Sequence, residues 1–390
     1  MPETKDIGLR GVAVADTKIS AVDGENGRLI YRGYDIDELA HYSTFEETVY
    51  LLLYEALPTR KELEIFKETL ASERQLPVGI IRHLKKRKKT ANTMDVLQSV
   101  IPMLADFDSE ARMETKGANI KKSIKLIAKT ATIVAYWDRI RKNLEIIKPD
   151  ERSGHAANFL NMLNGEMPDE DTARDFDTCL VLHAEHSFNA STFAARVVAS
   201  THAHMYACAG AALGALSGEL HGGANTQVMR MLLEIDRIER VEKWIHSKLD
   251  AGKKIMGMGH TVYKTLDPRA KILSGISEKL AGRTGNTKWF ELSRKIESVT
   301  RADFKKRKGK EIYSNVDFYS PSIYSVMGID PDLFTPVFAI SRMSGWCAHI
   351  IEEKFAEAQP KAVIYRPEAE YVGRYCGVEG CSYMPLEKRE

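Results

Sequence analysis

Strand-like patterning is confined to one short stretch of this 390-residue chain, and that limits the fold more than any other feature. Thr17 to Val22 and Arg28 to Tyr31 flank the turn-forming run Asp23-Gly-Glu-Asn-Gly27, which predicts a small hairpin. Elsewhere apolar residues return at three- and four-residue spacing, the period of a helix with one face in a core. Thr44-Phe-Glu-Glu47 and Thr59-Arg-Lys-Glu62 read as capping boxes, in which a threonine hydroxyl and a glutamate satisfy each other's unpaired amides. The first opens a helix over Val49 to Tyr54, and the second a helix with Leu63, Phe66 and Leu70 on one face. Asn92 to Ala105 predicts a helix bent at Pro102. Ile120 to Leu144 predicts a long one with Ile124, Ile127, Ala131, Val134 and Ala135 in a buried stripe. Further helices are expected within 151–165 and 170–200, after Asp267-Pro268, through 271–307 and over Val337 to Phe355. The chain reads as mainly α, and its length suits two domains.

Composition narrows the function. The 56 basic and 54 acidic residues leave a net charge of +2, which argues against a general nucleic-acid binder. The run Lys85-Lys86-Arg87-Lys88-Lys89 reads as a solvated surface. No apolar run approaches the ~18 residues of a membrane span, and the start lacks a signal-peptide core. Five scattered cysteines suit a reducing cytoplasm, with Cys376 and Cys381 expected as free thiols.

The polar breaks between helices carry the chemistry. His221 lies in Ser217-Gly-Glu-Leu-His-Gly-Gly-Ala-Asn225, before a helical pattern from Thr226 to Ile235. His260 follows Gly257-Met258-Gly259, and Asp267-Pro-Arg269 starts the next helix. A histidine at a helix N-terminus is held neutral by the dipole and can donate a hydrogen bond to a carbonyl or enolate. The alternative is that both are turn or core histidines. Arg269 in a first helical turn is not helped by the dipole, which suggests a carboxylate gripped by two parallel bonds.

A polar knot, His183-Ala-Glu185-His186-Ser-Phe-Asn189-Ala-Ser191-Thr192, interrupts apolar flanks. It reads as a self-satisfied network, as the wall of a polar pocket with Glu185 orienting a histidine, or as a metal site through His183 and His186. The Ala- and Gly-rich run 206–217 predicts close helix packing in a core or at a subunit interface. Asp317, between Val316 and Phe318, is either a base with a raised pKa or an N-cap for a helix after Ser320. Arg342 interrupts an apolar helix and needs an anion, and Arg366 precedes a proline in an extended tail. Three arginines suit a small dicarboxylate. An acid and a base suit proton removal beside a carbonyl, followed by carbon–carbon bond formation.

Several of these pieces stand in the order found in one family. His183-Ala-Glu-His186 with Asn189-Ala-Ser-Thr-Phe193, Leu220-His-Gly-Gly-Ala-Asn225, Gly257-Met-Gly-His260 with Asp267-Pro-Arg269, and Asn315-Val-Asp317 make the chain resemble the citrate synthases, in their short archaeal and bacterial form. The likeness runs from Asp23 to Gly373. The resemblance implies a two-domain multi-helical homodimer with a small N-terminal β-hairpin. The large domain would comprise 1–221 plus 333–390, and the small domain 222–332. It implies condensation of acetyl-CoA with oxaloacetate and release of CoA, with acetyl-CoA as a co-substrate and no permanently bound cofactor or metal. Asp317 would then remove the methyl proton, His221 hold the thioester oxygen, and His260 protonate the oxaloacetate carbonyl. His186, Arg269 and Arg342 would hold oxaloacetate, and Arg366 would reach the partner subunit's site. CoA would follow Gly257, Met258 and Gly259, with Lys264 and Lys310 at its phosphates. The 2-methylcitrate synthases, which take propionyl-CoA, share these motifs. A metal-dependent or non-catalytic protein on the same scaffold is a third reading. Two positions depart from the family pattern. Glu219 stands where proline is usual and is expected to raise the His221 pKa. Thr261 stands where many short forms have arginine.

Overall fold

The computed structural model describes residues 7–9, 11–373 and 380–389. The hairpin forms, with β1 (Ser20–Asp23) antiparallel to β2 (Arg28–Tyr31) and Ser20 opposite Tyr31. A third strand not expected from the sequence, β3 (Tyr34–Asp35), pairs with β2. The Asp23 carboxylate accepts the backbone amides of Glu25 and Asn26, which fixes the turn. That turn reaches across the chain: the Gly24 carbonyl accepts from Lys264 N at 2.9 Å, tying the hairpin to the segment after His260.

Sixteen α-helices follow among the described residues. They are α1 (Ile36–Tyr42), α2 (Phe45–Tyr54), α3 (Arg60–Ser72), α4 (Val78–Lys86), α5 (Thr93–Met103), α6 (Lys116–Arg141), α7 (His155–Asn164) and α8 (Glu170–His183). Then come α9 (Ala190–Ser200), α10 (Met205–Leu216), α11 (Ala224–Ile235), α12 (Val241–Asp250), α13 (Pro268–Thr284), α14 (Lys288–Lys308), α15 (Val316–Val326) and α16 (Phe334–Lys354). The Thr59–Glu62 box closes in both directions. At Thr44 only the threonine half forms: Thr44 Oγ1 accepts from Glu47 N, and the Glu47 side chain does not return to the cap. The predicted bend at Pro102 is the end of α5, which tightens into a 3₁₀ turn.

The core centres on α16, which is buried on nearly all sides and packs against α2, α5, α6, α8, α9 and α10. A helix enclosed this way shows no single apolar stripe. The small residues of α10 serve packing within the chain: a Cβ on Gly210 would stand 2.8 Å from Pro102 Cγ of α5. Helices α11, α13, α14 and α15 pack mainly on one another, with α12 on α14. No helix among the described residues is long and apolar enough to cross a membrane. Cys179, Cys208 and Cys347 are buried free thiols. Cys381 is disulfide-bonded, contrary to the expected free thiol, and Cys376 lies outside the described residues.

Candidate active site

A cleft of about 660 Å³ gathers six of the candidate side chains from six places along the chain. His186 comes from the turn after α8, His221 from the turn before α11, and His260 from the loop after α12. Arg269 stands at the start of α13, Asp317 at the start of α15, and Arg342 on α16.

One side chain joins two of these segments. Asn315 caps α15 by accepting from Asp317 N at 3.0 Å, while its Nδ2 donates to the Gly259 carbonyl at 2.8 Å. Gly259 N donates to the Tyr313 carbonyl and Asn315 N to the Gly257 carbonyl, at 2.7 and 2.9 Å. The His260 loop is thereby zipped to the segment before α15. Asp317 is therefore not the cap of a later helix, as the second sequence reading had it. Asn315 takes that place, and α15 runs through Pro321. Burial pushes the Asp317 carboxyl up to about 6, with Arg269 and Arg342 pulling the other way.

The histidines are neutral donors, though not for the reason read from the sequence. His221 lies three residues before α11 and His260 eight before α13, outside the first turn where a helix dipole acts. Burial lowers both to about 4, helped by Arg342 for His221 and by Arg269 for His260. Glu219 is exposed and is not among the charges acting on His221, so its expected raising effect is absent.

Hydrogen bonds then fix each tautomer. His260 Nδ1 accepts from Val262 N and Tyr263 N at 3.0 and 3.1 Å, which leaves the proton on Nε2. His221 Nε2 accepts from Ser191 N at 3.2 Å, so its proton is on Nδ1. The Ser191 hydroxyl has one proton for two acceptors, that Nε2 at 2.8 Å and Asn189 Oδ1 at 2.7 Å, and accepts from Trp346 Nε1. His186 Nε2 meets the Tyr263 hydroxyl at 3.2 Å, and burial with Arg269, Arg342 and His260 holds its pKa well below the usual value.

The two arginines differ. Arg269 is gripped by two parallel bonds, but the carboxylate belongs to Asp267, with Nε to Oδ1 at 3.0 Å and Nη2 to Oδ2 at 2.8 Å. Asp267 also caps α13. Burial opposes the Arg269 charge, and Asp267 outweighs it. Arg342 donates Nε to the His183 carbonyl at 2.7 Å and stacks on Phe338, 4.6 Å from the ring centre. No carboxylate among the described residues lies within ion-pair distance of it, and burial lowers its pKa to about 10.

The other candidates sit apart. Of the glycine loop only Gly259 lines the cleft. Gly257 is buried at φ +74°, and a Cβ there would stand 2.8 Å from Phe318 and Val228, so its bareness serves packing. Met258 bridges to Ser314. Lys264 is exposed and paired with Glu25, Lys310 is exposed, and Arg366 lies exposed in the extended tail, away from its own chain's cleft. His183 turns away, its Nδ1 donating to the Cys179 carbonyl. No group of three His, Cys, Asp or Glu among the described residues is placed to hold a metal. Sequence reasoning gave no role to Tyr263, Phe338 or Trp346, whose aromatic character alone carries no positional signal.

A base with a raised pKa, two neutral imidazole donors and two guanidiniums in one cleft fit deprotonation beside a carbonyl and capture of an anion. Comparison with known proteins agrees. The family model described as citrate synthase, C-terminal domain, matches residues 8–368. Citrate synthase 2 of Bacillus subtilis is 44% identical, over 98% of this chain and 98% of its own. The citrate synthase of Pyrobaculum aerophilum superposes with a TM-score of 0.89 at 38% identity, covering 98% of this chain and 95% of that one. The Thermoplasma acidophilum citrate synthase, solved as a ternary complex with carboxymethyl coenzyme A and oxaloacetate, gives a TM-score of 0.90 at 32% identity, over 99% and 100% of the two chains. A 2-methylcitrate synthase of Corynebacterium glutamicum is 38% identical over 98% of each chain. The chain belongs to the citrate synthase family.

Proposed function

We propose a division of labour for the citrate synthase reaction in this cleft. The enzyme is an acyltransferase that condenses acetyl-CoA with oxaloacetate and hydrolyses the resulting thioester to citrate and CoA. Asp317 takes the methyl proton. His221 donates Nδ1–H to the thioester oxygen and so stabilises the enol as a neutral partner. His260 donates Nε2–H to the oxaloacetate carbonyl, the oxygen that gains charge as the new bond forms. Arg342, with no protein carboxylate in contact, takes a substrate carboxylate, and Arg269 offers the part of its fork that Asp267 leaves. His186 adds a neutral donor. The observation that carries this reading is the meeting of Asp317, raised to about 6, with two tautomer-fixed histidines lowered to about 4.

CoA passes Gly259, with Lys264 and Lys310 near its phosphates. The mutual packing of α11 and α13 to α15 supports a small domain over 222–332 against a large one of 1–221 plus 333–390, with closure of the cleft between them. Exposed Val363, Ile364 and Val372 support a tail that lies on a second subunit, where Arg366 completes the partner's site in a homodimer. Three buried free thiols suit the cytoplasm, while the disulfide at Cys381 points the other way. No resident cofactor or metal takes part.

The test is CoA-thiol release from acetyl-CoA and from propionyl-CoA, each with and without oxaloacetate. Oxaloacetate-dependent release that is faster with acetyl-CoA supports the reading. Faster release with propionyl-CoA would make the enzyme a 2-methylcitrate synthase, and no release from either would overturn both.

A further inference from the structure

His349 lies two turns along α16 from Arg342, fully buried and outside the cleft lining. Its Nδ1 faces Arg196 Nη1 at 3.1 Å. A guanidinium only donates, so Nδ1 accepts and the ring proton sits on Nε2. That proton is donated to Glu185 Oε1 at 2.9 Å. Arg196 is held in turn by Glu352 and Glu353, each at 2.6 Å, and stacks on Phe188, which lines the cleft.

At the other end, Glu185 precedes His186. Its Oε1 also accepts from Ser20 Oγ at 2.9 Å, and that oxygen accepts from Ser187 N at 3.1 Å. The Tyr31 hydroxyl donates to the Glu185 carbonyl at 2.8 Å and accepts from Glu185 N at 3.2 Å. Both residues flanking His186 are thus tied down. Ser187 needs it, since it holds φ +51°, a left-handed conformation uncommon for a residue with a Cβ. Glu185 Oε2 is buried without a hydrogen-bond partner, lodged where a Cβ on Gly345 would come within 2.2 Å. A buried carboxylate with an unmet oxygen is costly, and a neutral core residue would avoid that cost.

We propose that His349 and Glu185 form a positioning pair for the oxaloacetate end of the cleft: His349, set by Arg196, orients Glu185, and Glu185 with Ser20 holds the strained turn that presents His186. Neither residue touches substrate. The proposal rests on the reading of His186 as an oxaloacetate ligand. It also explains why Glu185, adjacent to a cleft histidine, orients one outside the cleft instead.

The experiment compares His349→Leu with His349→Gln in the full-length enzyme. Glutamine offers an amide donor and a carbonyl acceptor and can bridge Arg196 and Glu185, whereas leucine fills the space without either. His349→Leu is expected to raise the oxaloacetate Kd and KM by about 10-fold or more while the acetyl-CoA KM moves less than about 3-fold. His349→Gln is expected to restore most of the oxaloacetate affinity. A merely structural role would instead lower thermal stability and affect both substrates alike, with no rescue by glutamine. Where His349→Leu does not fold, Ser20→Ala removes a bond at the far end of Glu185 and is expected to raise the oxaloacetate Kd about 3-fold or more. Unchanged oxaloacetate affinity in a folded His349→Leu or Ser20→Ala variant overturns the pair. Wild-type enzyme that binds no oxaloacetate overturns the reading of the cleft itself.

Discussion

The two arginines stand on cleft walls built in opposite ways. Arg342 projects from the interior of α16, a regular helix sealed by neighbours, and its counter-charge Glu185 is held at a distance. Arg269 starts α13 just after an irregular loop, and its carboxylate is in contact and shared with the helix cap. The sealed wall leaves a cation under tension and available to a ligand. The loop wall uses its cation to hold itself together. Burying a charge is tolerable by either route, but only the first stores the cost for release on binding.

The largest effect should come from the loop wall's carboxylate at α15. Asp317→Asn is expected to lower kcat by about 10³-fold or more, with oxaloacetate affinity nearly unchanged in calorimetry. The same variant sharpens the account of burial. The Asp317 carboxyl is raised from 3.8 to about 6 in the folded enzyme, so the folded state binds the proton more tightly than the unfolded one. Its contribution is therefore fully present below about pH 4 and is lost as pH rises through 6. Asp317→Asn should match the wild type in stability near pH 4 and exceed it by up to about 3 kcal/mol at pH 8 in denaturant titrations, less where water enters the cleft.

The arginines test the comparison directly. Arg342→Leu should weaken oxaloacetate by ~2–5 kcal/mol without loss of thermal stability, whereas Arg269→Leu should also destabilise the fold by ~3–5 kcal/mol because Asp267 is left buried and unpaired. Equal melting temperatures for the two variants would break the distinction. A smaller signature is the acid limb of kcat/KM, expected near pH 6 from Asp317 because both histidines are already neutral there. Smallest of all, Lys264→Ala should leave stability unchanged, since its pair with Glu25 is solvent-exposed, and should raise the acetyl-CoA KM by less than about 5-fold.

Features written in neighbouring residues were legible in the sequence. Thr59 with Glu62, Asp267 with Pro268, and the hairpin turn at Asp23 each carry a local chemical reason. The cleft residues were legible too, because histidines and arginines in polar breaks of an apolar chain need an explanation. Which partner a side chain takes was not, even two residues away. The pattern Asp267-Pro-Arg269 does not say that Arg269 grips Asp267 rather than a ligand, and Asn315-Val-Asp317 does not say which of the two caps the helix, since either carboxamide or carboxylate serves at an N-cap. The neutral state of His221 and His260 was anticipated while its cause was not, because desolvation depends on what packs around a ring. The burial of Lys122, Thr130 and Asp138 on α6 was hidden for the same reason: a stripe predicts one covered face, and α6 is covered on several.

Asn315 has a consequence for motion. One planar amide fixes both the start of α15 and the loop bearing His260, so Asp317 and His260, the proposed base and acid, form a single mechanical part. If the cleft opens, these two travel together, and the distances that change are those to His221 and Arg342 on the opposite side. Under the proposed closure the cleft would work like a press with a pre-aligned die: the spacing between Asp317 and His260 is set when the chain folds, and substrate binding would have only to bring the halves together.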